Sequence, residues 1–343
     1  MVRSDMYKDI PLLRTDEIIN KAFSRSSKIV LKSKGSKAGL FKAREIEMVS
    51  RSAEIIIASL QKIVDRFPKY RELDDFTSEM IKIVIDTEEL DTELHEIRHA
   101  ISSIIKVKTR AIKKMEKTKE RERVVEIRKD AYGKFGSLLK NLDKISGSLN
   151  NKREKIKEIP PISSNDYTVV IAGYPNVGKS TILSKLTISN PKIAPYPFTT
   201  TGINIGNFIL KYQIVHVIDT PGILDRPLSK RNEIEMKAIS AIGCLANIVI
   251  FVVDASESKN YTVEEQLSLY VSIKEIFGLP TILVQNKIDM SDRLEVADVA
   301  VSAVGGEGMD VLKSTMDDII LKDPEFIKAK GLVFDDGLEK IDL

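Results

Sequence analysis

Apolar residues at alternating spacings of three and four run through the first 150 residues. Ile46, Val49, Ala53, Ile56, Leu60 and Ile63 make one seam over 43–66, and it ends before Pro68. That spacing places the apolar groups on one face of a helix. Leu73, Phe76, Met80 and Ile83 repeat the pattern in a shorter piece; Leu90, Leu94, Ile97, Ile101 and Ile104 repeat it in a longer one. Val124, Ile127, Ala131, Phe135, Leu138, Leu142 and Ile145 mark another helix. A short amphipathic stretch at Ile18, Ile19, Ala22 and Phe23 follows Thr15 or Asp16 as its cap. Each helix has one apolar stripe to bury, so a bundle is expected. Pro160 and Pro161 in IPPISSND (159–166) end the helical texture. From Tyr167 short apolar runs (YTVVIA, NFILKY, IVHVID, IVIFVVD, TILVQ, DVAVS) alternate with amphipathic helices, the pattern of an α/β domain with a mostly parallel sheet. Only Gln213 separates NFILKY from IVHVID, so that pair is expected to be an antiparallel hairpin, giving the sheet one antiparallel edge strand. The chain thus divides into a helical bundle at 1–160, an α/β domain at 161–322 and a short tail at 323–343.

Composition narrows the class. Of 343 residues, 43% are hydrophobic and 30% charged, as in a globular protein, and no apolar run reaches the ~18 residues of a membrane span. The start, MVRSDMYKDIPLLRTDE, lacks the apolar core of a secretion signal. A single cysteine, Cys244, excludes an internal disulfide and a cysteine-rich zinc site; within AIGCLANIVIF it reads as a small core residue. A reducing, cytoplasmic setting without membrane attachment is expected. His95 and His99 share a helix face but have no third ligand beside them, and His216 alternates with Val215 and Val217 as a strand residue.

The net charge of +3 hides an asymmetry. Residues 1–160 carry 36 Lys and Arg against 26 Asp and Glu, and the remainder carries 17 against 24. Residues 101–160, with 18 against 8, hold the whole basic excess. Lys106, Lys108, Arg110, Lys113, Lys114, Lys117, Lys119, Arg121, Arg123, Arg128 and Lys129 crowd about one helix–helix junction. Interspersed glutamates allow a plain solvated face; binding of a phosphate backbone is the sharper reading. No RRM-type or zinc-knuckle motif is present, so RNA recognition there would use shape and charge.

GYPNVGKST (173–181) follows the strand YTVVIA and opens a helix, the context that a phosphate-binding loop requires. Gly173 and Gly178 permit the tight turn, and Tyr174, Pro175, Asn176, Val177 and Thr181 complete the cradle. Lys179 is placed for the β- and γ-phosphates and Ser180 for Mg²⁺. Asp219 ends a strand and begins DTPG, where it can hold Mg²⁺ through water while the Gly222 amide senses the γ-phosphate. NKID (286–289) follows TILVQ: Asp289 can accept from N1–H and the 2-amino group of guanine, Asn286 braces the loop, and the Lys287 stem covers the base. After DVAVS, the Ser302–Ala303 backbone can meet the guanine 6-oxo group. Four such elements in order, each at a strand end, indicate GTP or GDP as the ligand and a Ras-like P-loop GTPase domain following the helical bundle.

PYPFTTTG (195–202) resembles the switch segment of the Obg superfamily, whose signature is YPFTT. The resemblance implies that Thr200 ligates Mg²⁺ when the γ-phosphate is present, with Thr199 as the fallback; Thr201 departs from the bulkier residue common there. DTPGILDRPLSKRNEIEMKAISAI (219–242), with RTDEIINKAF, RKDAYGKF and IPPISSNDYTVVIAGYPNVGKST, resembles the NOG branch of nucleolar GTP-binding proteins and their archaeal counterparts. That branch acts in assembly of the large ribosomal subunit. The resemblance implies a GTP-gated switch in ribosome biogenesis whose helical domain contacts rRNA or a precursor particle. The alternative is a translation- or tRNA-linked GTPase whose helical domain binds a protein or tRNA.

Ile223 stands where many GTPases keep a water-orienting glutamine and cannot orient water by hydrogen bonding. In several related GTPases the position of Asn176 helps hold K⁺ against the phosphates, an alternative to simple loop stabilisation. Slow intrinsic turnover, raised by a monovalent cation or a macromolecular partner, is expected, with Thr200, Gly222 and Asn176 nearest the chemistry.

Overall fold

The computed structural model describes residues 9–30, 36–160, 162, 166–188, 191–196, 202–227, 229, 231–257 and 260–329. They form two compact units. One comprises the chain to Tyr70 together with Val84–Lys157; the other comprises Arg71–Ile83 together with everything from Glu158 onward.

The first unit is helical: α1 (Thr15–Ser27), α2 (Lys37–Arg66), α4 (Thr87–Lys117), α5 (Arg121–Asn141) and α6 (Asp143–Lys157), with α3 (Asp75–Val84) lying in sequence between α2 and α4. The seam of α2 is buried as its spacing requires, Val49, Ala53, Ile56 and Leu60 being fully covered. Val49, Ile56 and Leu60 each contribute about 1.5–3 kcal/mol of transfer free energy, the smaller Ala53 less. The stretch containing Val124–Ile145 is two helices, since the chain turns at Leu142 between α5 and α6. Helix α1 starts at Thr15 behind Arg14, which makes no capping bond. The Thr15 hydroxyl donates instead to the Asp143 carboxylate. Buried polar groups in this unit are mutually satisfied. Arg128 pairs with Glu45 at 2.6 Å, and Lys152 reaches Glu89 at 2.6 Å and Glu93 at 3.1 Å. The Ser52 hydroxyl is within hydrogen-bond distance of those of Ser26 (2.7 Å) and Tyr132 (2.9 Å), and the Tyr132 ring stacks on Phe23 at 4.2 Å.

Helix α3 groups with the sheet unit, so the segment 71–83, expected in the bundle, falls on the other side of the division. Its apolar stripe (Phe76, Met80, Ile81) is fully buried. An amphipathic stripe states that a helix needs a partner without stating which one.

The second unit holds a seven-stranded sheet in the order β2-β3-β4-β1-β5-β6-β7: β1 (Tyr167–Ala172), β2 (Lys192–Ala194), β3 (Ile203–Leu210), β4 (Gln213–Asp219), β5 (Ile248–Asp254), β6 (Thr281–Asn286) and β7 (Val299–Ala300). All pairings are parallel except those of β3, which runs antiparallel to β2 and β4; the antiparallel strand therefore lies one in from the edge, because the short β2 adds outside it. The hairpin turn is Lys211–Tyr212, with Gln213 inside β4, and both turn residues have positive φ, 46° and 71°. Helices α7 (Lys179–Leu186), α8 (Glu233–Leu245), α9 (Val263–Phe277), α10 (Met309–Lys322) and α11 (Pro324–Ala329) complete the unit. The beginning of the expected tail is therefore packed structure: Phe326 is buried, with its ring edge-on to Tyr167 at 5.2 Å. Strands β1 and β5 are buried along their whole length, as central parallel strands covered on both faces must be. Their carboxyl ends open into the loops described next. Cys244 is exposed, contrary to the core position expected: α8 turns Ala241, Ile242 and Leu245 inward and leaves Cys244 on its outer side. No helix among the described residues is long and apolar enough to cross a membrane.

Candidate nucleotide-binding site

The loop after β1 turns at Gly173 (φ +137°), where a Cβ would lie 2.4 Å from the Val252 carbonyl oxygen. It closes at Gly178 (φ +101°), where a Cβ would lie 2.1 Å from the Asn286 side-chain nitrogen. Only glycine fits either position. Asn176 between them is exposed and also left-handed, at φ 66°, a conformation that asparagine tolerates better than most residues. Lys179 opens α7. Its amine is buried and donates at 2.8 Å to the carbonyls of Gly173 and Tyr174. Burial pushes its pKa down, and the nearby charges of Asp219 and Asp225 push it up.

Asp219, at the end of β4, is fully buried. Its Oδ2 accepts from the Ser180 hydroxyl at 2.5 Å and from the Asn204 amide at 3.1 Å, while its Oδ1 has no partner. An orphaned buried carboxylate oxygen beside a serine hydroxyl is a donor set suited to a hard cation such as Mg²⁺. No group of three or more His, Cys, Asp or Glu placed for a metal occurs among the described residues, so phosphate and water oxygens would have to complete such a shell. Thr199, Thr200 and Thr201 lie outside the described residues. Just before them, the buried Tyr196 hydroxyl donates to the Ala238 carbonyl of α8 at 2.8 Å.

The expected base pocket is drawn together by Asn286. Its amide donates to the Val177 carbonyl at 2.8 Å, and its oxygen accepts from the Ala303 N–H at 3.0 Å. One side chain thus ties together the loops after β1, β6 and β7. Lys287 has a positive φ of 63° and its amine reaches Asp254 at 2.5 Å. Burial pushes the Asp254 carboxyl up, while Lys287 and Ser256 together hold it below its ordinary value. This pins the Lys287 stem over the loop after β1. Asp289 is exposed, with no ion pair or hydrogen bond of its carboxylate among the described residues, and so is open to a base. Ser302 and Ala303 spend their amides on the Glu307 carbonyl and on Asn286, so contact with a 6-oxo group calls for one of these bonds to be shared.

In the DTPG turn, Ile223 is 4% exposed and packs inward rather than toward a phosphate. The Leu224 carbonyl accepts from the Gly173 N–H at 3.0 Å, fastening this turn to the phosphate loop. The Gly222 N–H donates to Asp225 at 2.8 Å. Arg231, its side chain 1% exposed, holds the turn from below: it donates to the carbonyls of Gly222 (2.9 Å) and Ile223 (2.6 Å) and to Asp225 (3.0 Å). Neither Arg231 nor Asp225 is singled out by the sequence motifs. The available signal was the pattern N-x-x-E at 232–235, which forms a complete capping box on α8 and places Arg231 at the mouth of that helix.

Residues 9–163 match the family described as the NOG1 N-terminal helical domain, and residues 168–287 match the 50S ribosome-binding GTPase family. The uncharacterized protein MJ1408 of Methanocaldococcus jannaschii is 38% identical over 294 residues, covering 84% of this chain and 83% of that protein. Nucleolar GTP-binding protein 1 of Drosophila melanogaster is 33% identical over 261 residues (75% of this chain, 40% of that protein), and that of Saccharomyces cerevisiae 30% over 290 (83% and 44%). The chain spans less than half the length of these nucleolar relatives. With helical and GTPase parts matched in order, and one relative aligned along more than four-fifths of either chain, this chain belongs to the NOG family of Obg-like GTPases.

Proposed function

We propose that the chain is a GTP-hydrolysing switch whose helical unit binds the phosphate backbone of RNA in a maturing large ribosomal subunit. The observation that carries the partner is a groove of about 590 Å³ between α4 and α5, lined among others by Arg110, Lys114, Lys117, Arg123 and Lys134. The carboxylates beside it are already engaged, Glu126 by Arg123 at 2.6 Å and Asp130 by Lys134 at 2.7 Å. Of the groove's cations, Arg110, Lys114 and Lys117 make no ion pair among the described residues, and Lys113 adjoins them in sequence on α4. Lys108 and Arg128, by contrast, are spent on Glu54 and Glu45 within the unit. Cations without local partners facing one cleft are the electrostatic footprint of a phosphate backbone.

The nucleotide chemistry rests on the chain's own donors. Lys179 and the amides of the phosphate loop orient the β- and γ-phosphates, and Ser180 and Asp219 would hold the Mg²⁺ that neutralises charge on them. With Ile223 buried, no side chain at that position orients water, and slow intrinsic hydrolysis follows. A monovalent cation at Asn176 is the finer part of this reading. Hydrolysis should then be faster in potassium than in sodium at equal ionic strength, and Asn176→Ala should erase the difference; equal rates in both salts leave Asn176 a loop residue only.

The partner is tested on the full chain by titrating it with large-subunit RNA across a range of salt. Affinity should fall steeply with salt, and reversing Lys113, Lys114 and Lys117 to glutamate should lower the salt slope by about one per lysine lost while GTP affinity stays unchanged. A triple variant that binds like the unaltered protein would reduce these lysines to a solvated face and point to a protein partner.

A further inference from the structure

We infer that Asp225 is a built-in stand-in for the γ-phosphate, and so a residue that sets the preference between GTP and GDP. The inference rests on the nucleotide reading above.

Two groups in this fold are placed to feel a third phosphate, the Gly222 N–H and the Lys179 amine. In the structure the Gly222 N–H already donates to the Asp225 carboxylate at 2.8 Å. Lys179, whose amine donates to the two phosphate-loop carbonyls, lies within range of the Asp225 charge. An anionic oxygen pair therefore stands at the amide that a γ-phosphate oxygen would claim. The placement is enforced. The second carboxylate oxygen accepts from Arg231 at 3.0 Å, and Arg231 is itself buried and clamped to the Gly222 and Ile223 carbonyls. Capping of α8 by Asn232 and Glu235 fixes the chain immediately beyond. Arg231 also keeps one buried nitrogen, Nε, without a partner among the described residues.

The consequence is a competition. GTP must displace the Asp225 carboxylate from the Gly222 N–H before its third phosphate can take that donor. GDP, lacking that phosphate, leaves the bond intact. Asp225 thus stabilises the GDP-bound and nucleotide-free arrangement of the turn, and its displacement releases one Arg231 N–H toward an incoming anion. The same negative charge that closes the turn at rest would repel the γ-phosphate unless it moves away.

The experiment measures affinities of the full chain for GDP and for a non-hydrolysable GTP analogue, with Mg²⁺ present, in the unaltered protein, Asp225→Ala and Asp225→Asn. Asp225→Ala should move the ratio of the two affinities toward the GTP analogue by about tenfold or more, the order of one charge-assisted hydrogen bond no longer broken on binding. The ratio is the readout, since loss of a carboxylate near Lys179 can move both affinities together. Asp225→Asn keeps the shape and an acceptor but loses the charge, so it should shift the ratio in the same direction by less. If the alanine variant fails to fold, the asparagine variant decides alone. A ratio that is unmoved, or that moves toward GDP, overturns the inference while leaving the nucleotide reading standing. Failure of the unaltered protein to bind either guanine nucleotide overturns both.

Discussion

The two units treat buried polar groups in opposite ways. In the helical unit the buried charges and hydroxyls described above are paired with one another: Lys152 with Glu89 and Glu93, Arg128 with Glu45, Ser52 with Ser26 and Tyr132. In the sheet unit four buried side-chain atoms lack a partner, those of Asp219 Oδ1, Arg231 Nε, His216 Nδ1 and Asp317 Oδ1; among the described residues no such atom occurs in the helical unit. Two of the four, Asp219 and Arg231, sit in the candidate nucleotide site. Closed networks rigidify and specify a framework, whereas an open buried atom in a native fold asks for a ligand or an explanation.

The comparison breaks first at Lys152. Its side chain is 6% exposed and faces Glu93 at 4%. Lys152→Ala would strand a buried carboxylate and should cost about 3–5 kcal/mol, seen as a lower melting temperature. Nucleotide affinity of the folded fraction should not change; a fall in affinity would remove the framework role. Asp289→Asn acts in the other unit with the other signature. GTP affinity should drop about a hundredfold, roughly 3 kcal/mol, with xanthosine triphosphate gaining and melting unchanged, because the exposed carboxylate supports nothing in the fold. Competition binding with the two nucleotides checks it, and undiminished GTP affinity would take Asp289 out of the site. Ser180→Ala should lower Mg²⁺-dependent nucleotide affinity by about tenfold and leave binding in chelator unaltered; equal losses in both media would make the serine a structural partner of Asp219 only.

The smallest effect is at His216, whose open nitrogen lies mid-strand in β4 rather than in a loop. Burial holds its pKa below the ordinary 6.5 against the opposing charge of Asp166. The unfolded chain therefore takes up a proton before the folded one. The contribution to stability is fully present above 6.5 and shrinks as the pH falls toward the depressed value. His216→Gln should flatten this part of the stability–pH curve without touching nucleotide binding.

The phosphate loop, DTPG and NKID were legible because each needs a fixed residue type at a strand end. Helix positions were legible wherever the apolar stripe was unbroken, as in α2. The stripe failed as a guide in α6: Ile145, Leu149, Lys152 and Ile156 form its buried face, and a buried lysine interrupts the periodicity because its partners Glu89 and Glu93 come from another helix. The turn Lys211–Tyr212 carried no glycine or asparagine to announce its left-handed backbone. Arg231 in SKRNE carried no sequence signal of its own, since burial of a guanidinium depends on carbonyls brought to it by the folded turn. Asp225 was obscured for the same reason.

The grouping of α3 bears on how the molecule can be taken apart. The chain passes between its two units three times, at 70/71, 83/84 and 157/158. A single proteolytic cut or truncation near Lys157 therefore does not yield two complete halves. A fragment beginning at Glu158 loses α3, with the apolar groups of Phe76, Met80 and Ile81, each a contribution of about 1.5–3 kcal/mol. It also removes Asp75 and Glu79, whose charges, after burial, raise the pKa of Cys244. Alkylation of that thiol should consequently be faster in the fragment than in the whole chain. A GTPase fragment built to fold alone would carry residues 71–83 grafted ahead of Glu158.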